Sequence, residues 1–261
     1  MSFLDSLPIP AIVALFAVVA LVCYELGFRL GRWWQDREPG EQEGPTGVIV
    51  GGLLGLMAFL LAIAMGMASD RFDTRRALVM EEANAIRAAY LQADYLPPSA
   101  GDELKGLLRD YVPLRIATND RAVVLEAIAE GQVLRDRMWA IEAAAAQSGY
   151  APDLISSLGD TLTEVATVAE RREIAALHAR VPETVLWLLL LGSWLSLAML
   201  GYSAGLTRRR SLMTAIILIL ALGAVTSLVV DLDRPQDGFL QVSQFALRDV
   251  QAWIEGSGPP P

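Results

Sequence analysis

The chain has 261 residues, 54% of them apolar, a mean hydropathy of +0.40 and a formal charge of −9 from 21 Lys plus Arg against 30 Asp plus Glu. A composition this apolar is that of a membrane protein, and the excess of acid excludes the clustered base of a nucleic-acid interface. A single cysteine, Cys23, excludes a disulfide framework and a thiol metal site and leaves the redox compartment unread.

Four windows are long and uncharged enough to cross an apolar core of about 30 Å, which takes roughly 20 helical residues. The first runs from Ile9 to Tyr24. Nothing basic precedes it and no A-x-A site follows, so it reads as a retained anchor, with Cys23 as a packing residue. A short polar turn, 35–46, leads to the second window, Gly47 to Ser69. Its helical pattern does not stop at the membrane. Continued to about Leu91, it would make a strut of roughly 68 Å at 1.5 Å per residue, anchoring a helical domain.

That domain is expected over 70–183, between membrane segments 1–69 and 184–230. A double proline sets a helix boundary near Pro97 to Gly101. Thr118, Asn119 or Asp120 can cap the next helix, which stops near "SGYAPD". A last helix, Asp153 to about His178, spaces Leu154, Leu158, Leu162, Val165, Val168 and Ala169 at steps of three and four. No period-two alternation appears, so the predicted fold class is all-α. The third and fourth windows, Thr184 to Leu206 and Leu212 to Val230, are joined by "TRRRS" and read as a hairpin. The first two windows form a second hairpin-like pair, and 231–261 is an acidic post-membrane segment with a disordered "GSGPPP" tail.

Orientation follows Lys and Arg in short loops. Arg29, Arg32 and Arg37 after the first helix and Arg208 to Arg210 between the last two outnumber Arg234 and Arg248 of the C-terminal segment. The count places both short loops inside, and both termini and the helical domain outside, the cell membrane. Trp33, Trp34 and Trp187 sit at helix ends, as an interfacial aromatic belt requires, and Trp194 is a further candidate.

Two features carry functional expectations. On the second helix Gly47, Gly51, Gly55, Ala58, Ala62 and Gly66 share one face, with Leu53, Leu54, Met57, Leu60, Leu61 and Met65 over much of the rest. In lipid, small-xxx-small faces gain association through close packing. The partner may be read as a helix of the same chain, as another subunit, or as water along a pore. Beyond this face stands a collar of charge: Asp70, Arg71, Asp73, Arg75, Arg76, Glu81, Glu82, Asn84 and Arg87. Antiparallel threading brings Asp231, Asp233, Arg234 and Asp237 to the same side, where the two sets are expected to meet. Three readings fit the collar: mutual salt bridging, a charged mouth for ions, or a cation site on Asp231, Asp233 and Asp237. The last lacks the EF-hand spacing, with Val242 where a carboxylate is required.

"GLMAFLLAIAMGMASDRFDTRRALVMEEANAIRAAYL" and, far downstream, "DLDRPQDGFLQVSQFALRDVQ" resemble the bestrophin-like family of bacterial multi-pass membrane proteins. The resemblance covers nearly the whole layout. It implies four membrane helices with a helical domain after the second and a relation to bestrophin anion channels, which are pentamers lined by the second helix. Bestrophins also carry an acidic calcium clasp after the fourth helix, where this chain has Asp231, Asp233 and Asp237. Their neck is bulky and holds a proline, whereas the second membrane helix here offers Phe59 as its one aromatic. Their termini are cytosolic, the reverse of the arginine count.

No enzyme is expected. His178 is the only histidine and lies near a helix end, and no GxSxG, HExxH, P-loop or dinucleotide fingerprint occurs. No cofactor is implied. The expected partners are the lipid bilayer, further copies of the chain and inorganic ions. Two functions follow: an oligomeric ion channel, for anions by the resemblance, with the second helix near the axis, or a non-conducting scaffold that binds a partner through its helical domain.

Overall fold

The computed structural model describes residues 8–38, 43–116, 120–177, 181–210, 212–234 and 238–256. Among them the chain is all-helical: α1 (Ile9–Arg37), α2 (Glu43–Gln92), a 3-10 turn (Ala93–Tyr95), α3 (Pro98–Arg115), α4 (Arg121–Gln147), α5 (Pro152–Leu177), α6 (Glu183–Leu206), α7 (Leu212–Asp233) and α8 (Phe245–Gly256). Four of these, α1, α2, α6 and α7, are long and apolar enough to cross a membrane. Local chemistry sets the ends. Proline stands at the first turn of α1 and of α3, where its missing N–H costs nothing. The Asp120 side chain accepts the Ala122 N–H at 2.9 Å and caps α4.

The chain forms two compact units. The first holds Met1–Arg71, Arg180–Arg234 and Gly238–Leu240; the second holds Phe72–Ala179, Pro235–Asp237 and Gln241–Pro261. Helix α2 contributes Glu43–Arg71 to one and Phe72–Gln92 to the other.

In the first unit α1 packs closely along α6. Tyr24 meets Gly201 and Phe28 meets Gly205, so residue numbers rise together and the two helices run parallel. Each helix offers a glycine pair four apart. A β-carbon on Gly27 would stand 2.0 Å from the Ala198 carbonyl oxygen, and one on Gly31 2.2 Å from that of Tyr202. Reciprocally, a β-carbon on Gly201 would lie 2.1 Å from the Tyr24 oxygen. Small residues therefore do bring backbones together here, but through "GFRLG" and "GYSAG" rather than through the stripe of α2. Helix α7 joins this pair where Phe16 lies against Gly223 and, at 6.4 Å between ring centroids, against Trp194.

The second unit has its own core. Val79, Ile86 and Tyr90 of α2 pack with Leu104, Leu108 and Tyr111 of α3, Met138 of α4 and Leu158, Leu162 and Val165 of α5. Leu154, expected on the inner face of α5, is 45% exposed, and Ile155 takes the buried place. The post-membrane segment is more structured than expected: α8 closes the core with Leu247, Val250 and Ile254 at helical spacing. Its Trp253 ring stacks edge-on against Tyr90 at 5.4 Å. The "GSGPPP" tail beyond Gly256 and His178 fall outside the described residues.

Candidate functional site

The face of α2 that carries the small residues is bare. Gly47, Gly51, Gly55, Ala58, Ala62 and Gly66 are all exposed, and space is open to 4 Å around a β-carbon placed at any of these four glycines. The opposite side is buried at Val50, Met57, Leu61, Ala64 and Ala68, and the Met57 sulfur would stand 2.3 Å from a β-carbon on Gly192 of α6. Helix α2 therefore packs Val50, Met57 and Leu61 inward, while Val48, Ile49, Leu56, Phe59 and Ile63 stand exposed along with the small face. Phe59, 62% exposed, follows Gly55 by one turn and is the bulkiest group beside the stripe. Asp70, exposed one turn past Gly66, is the first charge that this face reaches.

The collar divides between the two units. Asp70, Arg71, Asp231, Asp233 and Arg234 belong to the first; Asp73, Arg75, Arg76, Glu81, Asn84 and Arg87 belong to the second, and Asp237 lies outside the described residues. Several are not solvated. Asp231, Asp233, Arg234 and Arg75 are all buried. The Asp231 carboxylate accepts the N–H groups of Phe239 at 2.7 Å and Leu240 at 3.0 Å. The backbone passes so close that a β-carbon on Gly238 would lie 2.7 Å from Asp231 Oδ1. Asp233 accepts the Val181 N–H at 2.7 Å. Both acids thus tie the end of α7 to neighbouring backbone, work that satisfies buried N–H groups. In the second unit Glu81 meets Arg171 at 3.5 Å, and Arg87 meets Asp249 at 3.4 Å while lying over the Trp253 ring at 4.8 Å. Asp73, Arg76 and Asn84 are exposed.

One collar member leads to a cluster that sequence reasoning missed. Glu82 is fully buried and accepts from Arg115 Nε at 2.5 Å and from Arg172 Nη1. Arg115 spends its other nitrogens on Glu173, 2.9 Å away, and on the Ala169 carbonyl at 3.4 Å. Arg172 reaches Gln244 at 2.9 Å, and Arg135 donates to the Tyr111 hydroxyl at 3.0 Å. Burial alone would lower the Arg115 pKa, but Glu82 foremost, then Tyr111 and Glu173, outweigh it and the net shift is upward. Burial raises that of Tyr111 against the opposing pull of Arg115 and Arg135. The signal for this cluster in the sequence was weak, since its members lie 33 and 90 positions from Glu82. Among the described residues no group of three or more His, Cys, Asp or Glu is placed to hold a metal.

A family model for the bestrophin-like domain matches residues 13–247. The chain belongs to the bestrophin-like family. Solved structures agree in fold: a bacterial bestrophin homolog from Klebsiella pneumoniae superposes with a TM-score of 0.67 at 15% identity, covering 96% of this chain and 100% of that one. A crystal structure described as a membrane protein gives a TM-score of 0.69, also at 15% identity, over 97% and 99% of the two chains. No curated protein matches.

Proposed function

We propose that the protein is an oligomeric ion channel in which copies of α2 surround an axis and turn the face from Gly47 to Gly66 toward it. The observation that carries this reading is the bare small-residue face, opposite a side packed through Met57 and Leu61. In lipid small residues gain association where another backbone approaches, so a small face left bare within one chain points to further copies of the chain around it. A water-filled axis needs narrow side chains along it. In this arrangement Phe59 forms the constriction and Asp70 the first charge at the mouth, with ions as the transported class. The Klebsiella protein's description as a bestrophin homolog, together with the shared fold, supports the same assignment.

Thiol accessibility tests it. In a Cys23→Ala background, Gly55→Cys and Ala62→Cys should react with a water-soluble, membrane-impermeant thiol reagent in the reconstituted oligomer, and modification should block flux. Leu188→Cys, on the exposed apolar side of α6, should stay unreactive. Unreactive cysteines at 55 and 62 would show that the face is sealed against another helix.

The topology proposed with this reading is that of the arginine count, with both termini and the second unit outside the cell. An exposed Asp153→Cys should then label from outside intact cells; labelling only after permeabilisation would place the second unit in the cytosol.

A further inference from the structure

Helix α7 carries an outward stripe that ends on an acid. Met213, Ile217, Leu220, Ala224 and Leu228 follow at steps of three and four, share one side of the helix and are exposed. The next member of that series is Asp231, yet it is only 4% exposed. Residues 238–240, which belong to the first unit, fold back over it. The N–H groups of Phe239 and Leu240 both donate to its carboxylate, at 2.7 Å and 3.0 Å. Gly238 lies so close that a β-carbon there would meet Asp231 Oδ1 at 2.7 Å. The returning turn therefore sits on the same side of α7 as the stripe.

The turn satisfies two backbone N–H groups and bares its side chains: Phe239 is 76% exposed and Leu240 is 43% exposed. The stripe beside it is a lipid face. Helices that associate in a membrane do so through small residues, as α1 and α6 do here, whereas this stripe is Met, Ile, Leu and Leu with Ala224 as its one small member. Depth follows from α6. The Val181 N–H donates to Asp233 at 2.7 Å, which sets the start of α6 beside the end of α7. Trp187, early in α6, is exposed at this end, where an indole settles among headgroups.

We propose that Phe239 and Leu240 form a membrane anchor that enters the boundary between lipid headgroups and acyl chains beside α7, with Asp231 as the clasp that holds the turn against the helix. A carboxylate turned toward lipid is costly when left alone. Two charge-assisted hydrogen bonds from the turn satisfy it. The same two bonds pair N–H groups that would otherwise hold the turn in water. The lipid face of α7 thus continues past its last apolar turn onto the Phe239 ring.

Site-directed quenching decides it. In a Cys23→Ala background the full-length Phe239→Cys chain is labelled with a polarity-sensitive fluorophore and reconstituted in phosphatidylglycerol and phosphatidylcholine vesicles. The label should be quenched severalfold more by a nitroxide on the acyl chain near the headgroup than by aqueous iodide. A nitroxide at the chain end should quench it less, as for a group about 5–10 Å into the boundary. The same label on Asp153→Cys, exposed in the second unit, should respond to iodide and not to nitroxide lipid. Adding Asp231→Ala, which removes both acceptors, should shift the label at position 239 toward iodide at unchanged oligomer mass, a shift that the label's own apolar character would not produce. Iodide quenching of that label with Asp231 in place would put the turn in water and overturn the anchor. Shielding from both quenchers would put the turn against a second copy and overturn it too. Undiminished lipid quenching in the Asp231→Ala chain would overturn the clasp.

Discussion

Glu82 shows how position changes the meaning of a charged residue. Its neighbour Glu81 is exposed and pairs with Arg171 across solvent, an arrangement worth less than about 1 kcal/mol. Glu82 is buried between two arginines, and removing it leaves Arg172 without its counter-charge and Arg115 with Glu173 alone, a loss of about 3–5 kcal/mol. Glu82→Ala should therefore lower the midpoint of thermal unfolding by many degrees, while Glu81→Ala should move it by only a few; equal shifts would refute the assignment. Tyr111 in the same cluster sets a pH dependence. Its folded pKa is raised above the ordinary value of 10.0, so the folded state holds the phenolic proton more tightly than the unfolded chain. The stability from this group is complete below about pH 10 and is lost as pH climbs through the folded value. Arg115 shifts in the same direction and stays charged throughout. Denaturant titrations should show stability falling above pH 10, with a shallower fall in Tyr111→Phe. Glu82 was read in the sequence as one more member of the charged collar, because nothing in "VMEEANAIR" distinguishes it from Glu81 except its place beside Ala83 and Ile86 on the inner face.

At the level of helices, the same residue type does two jobs. Gly27 and Gly201 stand where a β-carbon would overlap a carbonyl of the facing helix, whereas Gly51 has open space. Gly27→Ala or Gly201→Ala should force α1 and α6 apart, with loss of monodisperse protein in detergent or a large drop in melting temperature. Gly51→Ala should leave the folded protomer as stable as before, and a comparable loss there would contradict the exposed face. Helix α8 supplies a second test. It buries Leu247, Val250 and Ile254 in the second unit, so a chain cut after Leu240 should expose the surfaces of α3 and Tyr90 and aggregate or melt early. An unchanged melt would show that α8 is dispensable.

The spans, a cap for α4 among Thr118, Asn119 and Asp120, and the start of α3 were legible because they depend on local patterns: long uncharged windows, a run of capping side chains, a double proline. Partner choice was not. The stripe of α2 has three glycines in series, yet "GFRLG" and "GYSAG", each with one pair, make the close contact. Spacing reveals a small face, while only the fold reveals what lies opposite it. Helix α8 was overlooked for a related reason: "FALRDVQAWIEG" is short, and its helicity depends on the core against which its buried Leu247, Val250 and Ile254 rest.

For the molecule as a whole, family membership and the shared fold make it a bestrophin-like chain with four helices able to cross a membrane. The central claim is that the small-residue face of α2 lines an ion path. It is tested most directly by ion flux from liposomes holding the purified oligomer, in chloride and potassium gradients, with Ala62→Leu beside the native chain. Ala62 is exposed, so the added bulk should leave each protomer folded. The account predicts flux above empty liposomes for the native oligomer and a severalfold reduction with Ala62→Leu at unchanged oligomer mass. A well-formed oligomer without flux in either gradient, or flux indifferent to leucine at position 62, would contradict it.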